Sequence, residues 1–145
     1  MPDEYVTKVS ATKDKLYEVL DAVDALLTEH ECDPAVQTQI EISLEELFVN
    51  IVMYAYPTGE GEVEVRAVVD AGIASITLID EGIPFNPLEQ PAPTDLNQPA
   101  KKRKVGGLGI YMMKKQMDDV NYEYRDGRNV LTFRKKMQQE AENPV

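Results

Sequence analysis

The sequence lacks the features that mark a secreted or membrane-bound protein. Cys32 is its one cysteine, so the chain cannot form an internal disulfide, which is usual in a reducing compartment. The chain begins with no charged-then-apolar signal, and no apolar run approaches the roughly 18 residues that a membrane helix needs. We therefore expect a cytoplasmic protein without a membrane segment. His30 is too close along the chain to be a persuasive helper for a catalytic thiol, and we expect Cys32 to be buried or idle.

Positive charge is also scarce. The chain has 15 Lys and Arg against 26 Asp and Glu, a net charge of −11, which would repel the phosphates of a nucleic acid. We therefore expect no direct nucleic-acid partner. The one dense basic run is at residues 101–104. It is a solvated loop, an isolated nucleic-acid patch or, because glycines follow it, a source of phosphate contacts.

A single domain is expected over the whole chain, 1–145. Its 145 residues and 43% hydrophobic content suit one core, and the sequence shows no internal repeat. Periodicity and turn residues predict, in order, a strand at 5–9, a helix from the Thr12 cap to about Glu31, a helix from Asp33 and Pro34 that Pro57 and Gly59 end, strands at 63–69 and 73–79, a helix from Gly106 to about Met117, and strands at 120–125 and 130–134.

Two segments have no predicted regular structure. Residues 86–105 contain Pro87, Pro91, Pro93 and Pro99 without apolar periodicity, which is typical of a lid or a disordered loop. The polar tail from about Met137 is expected to be frayed.

The helix that follows Pro34 places a carboxylate and a carboxamide side by side. Glu46 and Asn50 are four residues apart on the border of an apolar stripe, whereas Glu45 points away from the stripe. The stripe consists of Val36, Ile40, Leu44, Leu47, Ile51 and Ala55. Such a pair is usually only the polar flank of a helix. At the edge of a cleft it can also hold a metal ion and a proton.

Two glycine-containing motifs follow. Asp80 ends a strand and can accept a hydrogen bond from an exocyclic amine, while Gly82 would let a flat ring approach the backbone. Gly106, Gly107 and Gly109 open a helix, whose first amides and dipole favour an anion. Each motif alone is weak, since Asp-x-Gly is usually a turn. The glycines match neither the dinucleotide fingerprint nor the Walker A loop.

Together and in this order, the motifs resemble a known set. Glu46-x-x-x-Asn50, Asp80-x-Gly82, a long lid and Gly107-x-Gly109 resemble the three nucleotide-binding boxes of the GHKL ATPases. Within that superfamily the chain looks most like the small anti-sigma-factor serine/threonine kinases. The segments that carry this closer resemblance read ELFVNIVMYAY, GLGIYMM and MDDV.

The resemblance implies a fold and a ligand. The fold would be α/β (α+β), a two-layer sandwich of the Bergerat type, in which helices cover one face of a mixed, mostly antiparallel sheet. ATP would lie between the central helix and the lid. Glu46 would be the general base, Asn50 would bind Mg²⁺, and Asp80 would receive the adenine amino group. Further nucleotide contacts would come from Gly82, Lys104, Gly106, Gly107, Leu108, Gly109 and Thr132.

The resemblance also implies an activity. The chain would be an ATP-dependent serine/threonine protein kinase that acts as an anti-sigma regulatory factor, phosphorylates an antagonist protein and sequesters a sigma factor, and it could form a homodimer. It departs from the family at Tyr54, where histidine is common, and at Val105, where a basic residue is common. Its last strand has Asn129-Val-Leu-Thr132 where a Gly-Thr pair is usual. A nucleotide-gated binding module without catalysis is the alternative.

Overall fold

The computed structural model of the protein describes residues 3–89 and 107–139. The elements run in the order β1 (Asp3–Ser10), α1 (Lys13–Glu29), α2 (Pro34–Asn50), a π-turn (Ile51–Ala55), β2 (Glu62–Asp70), β3 (Ile73–Asp80), a 3₁₀ turn (Pro87–Glu89), α3 (Gly107–Gln116), β4 (Asp119–Arg125) and β5 (Arg128–Lys136). The 3₁₀ turn occupies the start of the predicted lid. The rest of that segment, 90–105, lies outside the described residues.

The strands form one five-stranded sheet in the order β1-β2-β3-β5-β4. Every pairing between these described strands is antiparallel, so the expectation of a mixed sheet is wrong. Two of the pairings, β2 with β3 and β4 with β5, are hairpins, and a two-residue hairpin turn permits only antiparallel strands. The turns have positive φ at Ala71 and Gly72 (53° and 78°) and at Asp126 and Gly127 (56° and 77°), as a type I′ turn requires.

The core lies between the sheet and the helices. Alternate residues of β2, β3 and β5 are buried, and so are the apolar faces of α1 and α2. The largest fully buried side chains include Phe48, Phe133, Leu27, Ile40 and Leu44. Because the helices cover one face of the sheet only, the fold is the two-layer α+β sandwich that the sequence predicts.

Capping residues fix where the two long helices begin. The Thr12 side chain accepts a hydrogen bond from Lys15 N, and the Asp33 side chain accepts one from Ala35 N at 3.0 Å, with Pro34 as the first helical residue. Both caps are as predicted. Among the described residues, no helix is long and apolar enough to cross a membrane.

Met137, where a frayed tail was expected to begin, is held in the fold. Met137 is buried, its N–H donates to Gly72 O at 3.0 Å, and its carbonyl accepts from Asp33 N at 2.9 Å. The expectation of fraying from Met137 is therefore wrong at that residue, because two backbone hydrogen bonds and burial hold it. The Cys32 thiol also donates to Met137 O, at 3.6 Å, and is buried as predicted.

Candidate functional site

A pocket opens beside the C-terminal end of α2, where that helix meets the ends of β3 and β5. Its walls are mostly apolar, and include Leu47, Ile51, Leu78, Ile83, Phe85 and Leu131. Its polar side chains are those of Asn50, Asp80, Tyr122 and Asn129. An apolar cleft with a few convergent polar groups is the usual form of a small-molecule site.

The helical phase of α2 sets the exposure of its polar residues as predicted. Glu45 is exposed, Glu46 is half-buried, and Asn50 is only 8% exposed. Burial, and to a lesser extent the nearby charge of Glu45, raises the pKa of the Glu46 carboxyl above its usual value. Within the described part of the chain, the Asn50 carboxamide makes no hydrogen bond. It is therefore available to a ligand in the pocket.

Glu46 lies one helical turn before the pocket residue Asn50 on α2, against the first turn of α3. A Cβ atom built on Gly109 would be 2.3 Å from Glu46 Cδ and 2.4 Å from its Oε2. Only glycine leaves room for the carboxylate there. The predicted base and Gly109 of the last motif are thus neighbours across the α2–α3 contact.

Asp80 ends β3 with its side chain facing inward, and it is 5% exposed. Its Oδ1 accepts two hydrogen bonds of 2.9 Å, from Gly82 N and from Asn129 Nδ2. Burial raises the pKa of the Asp80 carboxyl, although the two hydrogen bonds act in the opposite direction. No described residue donates to Oδ2, so this oxygen can accept from a ligand.

Gly82 is in close contact with the π-turn. A Cβ atom at Gly82 would be 2.3 Å from Ala55 O, and the next amide, Ile83 N, donates to that same oxygen at 2.9 Å. The glycine therefore lets the loop after β3 pack on the π-turn. The approach of a flat ring to the Gly82 backbone stays a prediction.

Thr132 does not face the site, and its predicted nucleotide contact is wrong. It lies between the inward-facing Leu131 and Phe133, and it pairs across the sheet with Thr77. Its hydroxyl is 2.9 Å from Thr77 Oγ1 on the face of the sheet that the helices leave uncovered. The alternation of β5 itself excludes Thr132 from the pocket.

Asn129, like Tyr122, is a polar residue of the pocket that was not assigned to the site from the sequence. It pairs directly with Asp80 across β3 and β5, and it is 6% exposed. The signal was available, since Asn129, Leu131 and Phe133 share the inward phase of β5. A polar residue at an inward position of a strand indicates a buried partner.

The other residues singled out from the sequence fall in three parts of the chain. Lys104, Gly106 and the family departure at Val105 lie outside the described residues. Gly107 and Leu108 begin α3. Tyr54 lies in the π-turn, with its ring 6.3 Å from that of Phe85.

Asn50 is the candidate metal ligand of the pocket. Among the described residues there is no group of three or more His, Cys, Asp or Glu side chains that could hold a metal. Mg²⁺ commonly takes one or two protein oxygens, and completes its shell with water and substrate phosphates. The unpaired carboxamide of Asn50 in the pocket suits such an ion when it arrives with a phosphate ligand.

Comparisons with known sequences agree on one family. The profile described as the histidine kinase-like ATPase domain matches residues 9–135. Serine-protein kinase RsbW of Bacillus mycoides is 28% identical over 107 residues, which are 72% of this chain and 67% of that protein. Serine-protein kinase RsbW from a strain of Bacillus cereus is 29% identical over the same length and with the same coverage.

Solved structures agree with the fold. A structure of the RsbU and RsbW domains of a Mycobacterium tuberculosis protein matches 99% of this chain and 35% of its own, with a TM-score of 0.69 and 16% identity. The histidine kinase domain of a blue-light activated kinase from Erythrobacter litoralis matches 84% of this chain and 59% of its own, with a TM-score of 0.53 and 14% identity. The profile match spans most of the chain and the described core, so the chain belongs to the histidine kinase-like ATPase domain family.

Proposed function

We propose that the chain is an ATP-dependent serine/threonine protein kinase that works as an anti-sigma regulatory factor. It would phosphorylate an antagonist protein and sequester a sigma factor. The observation that supports this most is that Asn50 and Asp80 line one pocket, while Glu46, one turn before Asn50 on α2, lies against the first turn of α3. The names of the serine-protein kinase relatives point to the same activity.

The nucleotide would be held at three points. The adenine amino group would donate to Asp80 Oδ2, and Asn50 would supply one oxygen to Mg²⁺. The phosphates would approach the first turn of α3, where free amides and the helix dipole favour an anion. Lys104 and Gly106 would add contacts from the lid.

The transfer would use Glu46 as general base. The carboxylate would take the proton from a serine or threonine hydroxyl as that oxygen attacks the terminal phosphorus of ATP. The bond from phosphorus to the β–γ bridging oxygen breaks, and ADP leaves. Burial raises the pKa of Glu46 and so increases its basicity, which suits this role.

Two measurements test the proposal. Calorimetry with ATP and Mg²⁺ should give a defined binding heat, and an assay with a candidate antagonist protein should show label moving from the γ-phosphate of ATP to that protein. Absence of nucleotide binding would refute the proposal. Binding without transfer to any antagonist would favour the alternative, a nucleotide-gated binding module.

Self-association belongs to the same proposal. Among the described strands, β1 pairs with β2 alone and is therefore an edge strand, and the outer edge of an edge strand can take a second copy of the chain. Light scattering at micromolar protein should then give the mass of a dimer. A monomer mass at every concentration would remove the dimer from the proposal.

A further inference from the structure

We infer that Asn129 is the positioning residue that decides which nucleobase the pocket accepts, because it turns Asp80 so that one carboxylate oxygen is occupied and the other faces the ligand. This inference rests on the proposed function. It adds a determinant of base selectivity in a residue that need not touch the base.

The Asn129 carboxamide uses its whole hydrogen-bonding capacity. Its Nδ2 donates to Asp80 Oδ1 and to Ile83 O, each at 2.9 Å. Its Oδ1 accepts from Phe85 N at 3.1 Å and from the Tyr122 hydroxyl. A carboxamide has two donor hydrogens and one oxygen with two lone pairs, so no capacity remains. The flipped orientation would set the amino group against the Phe85 N–H donor and the oxygen against two acceptors, Asp80 Oδ1 and Ile83 O, which fixes the orientation observed.

The fixed carboxamide determines what Asp80 offers to a ligand. With Asn129 Nδ2 and Gly82 N both bound to Oδ1, a base in the pocket meets Oδ2. An ionised carboxylate oxygen only accepts hydrogen bonds. It therefore suits the 6-amino group of adenine and opposes the 6-carbonyl group of guanine or hypoxanthine.

Two phenols face Asp80 from other elements, and both are occupied elsewhere. The Tyr56 hydroxyl donates to Glu62 O at 2.5 Å and accepts from Glu81 N at 3.0 Å. The Tyr122 hydroxyl donates to Asn129 Oδ1. Burial raises the pKa of both phenols, so both are neutral near pH 7. Within the described residues Asn129 is therefore the one side chain that donates to Asp80.

Asn129 also fixes the wall beside the base. Ile83 and Phe85 line the pocket, and Asn129 bonds to the backbone of both. One residue thus sets both the acceptor and the apolar surface against which a flat ring would lie. Substitution of Asn129 should therefore alter the nucleobase preference of the pocket and should affect binding of the nucleotide phosphates much less.

The test is the substitution Asn129→Asp, which keeps the size of the side chain and replaces its donor with an acceptor. Two carboxyl groups would then meet at the position of Asp80 Oδ1, and the pair would take up a proton. We expect the preference for ATP over GTP, measured as the ratio of dissociation constants by calorimetry, to fall at least about tenfold. The matched control is Asn121→Asp, the same change at an exposed position of β4, which should leave the ratio unchanged.

The binding measurements distinguish failure of the proposed function from failure of the inference about Asn129. If the unmutated protein binds no nucleotide, the proposed function fails. If it prefers ATP and Asn129→Asp keeps that preference, or weakens ATP and GTP equally, Asn129 has only a structural role and the inference fails alone. Should the variant not fold, exchange of the Asn129 side-chain amide hydrogens in the unmutated protein decides by NMR. The two Asn129 amide hydrogens should exchange at least about tenfold more slowly than those of the exposed Asn121, because each Asn129 hydrogen is in a buried or partly buried hydrogen bond. Equal exchange would overturn the inference.

Discussion

The carboxylate of Glu46 lies so close to Gly109 that a methyl group on that glycine would be 2.3 Å from the carboxyl carbon. This contact joins the C-terminal half of α2 to the first turn of α3. Because the atom in the way belongs to the end of a flexible side chain, a larger residue at position 109 would displace the carboxylate before it displaced the backbone.

Gly109→Ala should therefore lower phosphate transfer more than it lowers stability. We expect transfer to fall at least about tenfold, since the base leaves its productive position. The melting temperature should fall slightly. In a Glu46→Ala background the clash is absent, and the same substitution should raise the melting temperature, because alanine is the better helix residue by about 0.5–1 kcal/mol. A rise in both backgrounds would contradict the contact between Glu46 and Gly109.

Glu46→Ala and Glu45→Ala should separate chemistry from binding. Loss of the base acts mainly on the transition state, so Glu46→Ala should reduce transfer at least about 10²-fold and leave ATP affinity within a few-fold. Glu45 is exposed on the same helix, and Glu45→Ala should be nearly neutral in both assays. Steady-state kinetics beside calorimetry measures both effects. If Glu45→Ala abolished transfer and Glu46→Ala did not, Glu46 would not be the base.

Asp80→Asn should lower the preference for ATP over GTP without lowering the stability of the fold. The asparagine oxygen can still accept from Gly82 N and Asn129 Nδ2, whereas the preference for ATP over GTP should fall about tenfold. Burial raises the pKa of Asp80 in the folded protein, so protonation of this carboxyl stabilises the fold. That stabilisation is complete below the pKa of Asp80 in the unfolded chain, and it is lost as the pH rises through its pKa in the folded protein. The melting temperature of the Asp80→Asn variant, relative to that of the unmutated protein, should therefore rise between acid and neutral pH. A clear loss of stability at pH 7 would contradict this account of Asp80.

Glu41→Gln should stabilise the fold at alkaline pH. Burial first, and then the charge of Asp24, raises the pKa of Glu41 to about 7. The stability that protonation gives is complete below about pH 4.5 and is lost as the pH rises through about 7. At pH 8 we expect the variant to melt roughly 2–4 °C higher, which corresponds to about 1 kcal/mol after allowing for solvent screening. Glu45→Gln, on the same helix, is the control, and equal shifts in both variants would refute the explanation.

Local sequence pattern was sufficient to predict the helices, strands and turns, but not to predict which residues meet in the candidate site. The caps at Thr12 and Asp33 and both hairpin turns are as the sequence predicts, because they depend on neighbours along the chain. Asn129 was missed because its partner Asp80 is 49 residues away, and the two meet only through the register of β3 against β5. Thr132 was assigned to the site by family resemblance alone, although the alternation with Leu131 and Phe133 places it outside.

The π-turn over Ile51–Ala55 makes the length of that segment matter as much as its composition. A π-turn closes its hydrogen bonds over five residues instead of four, so it contains one residue more than an α-helical turn of the same reach. Here the extra residue brings Ala55 to the pocket wall and aims its carbonyl at Ile83 N. Deleting one residue would let α2 continue as an α-helix, and the loop after β3 would lose its anchor on the helix. Natural variants of this chain should therefore tolerate substitutions in the segment far better than changes in its length.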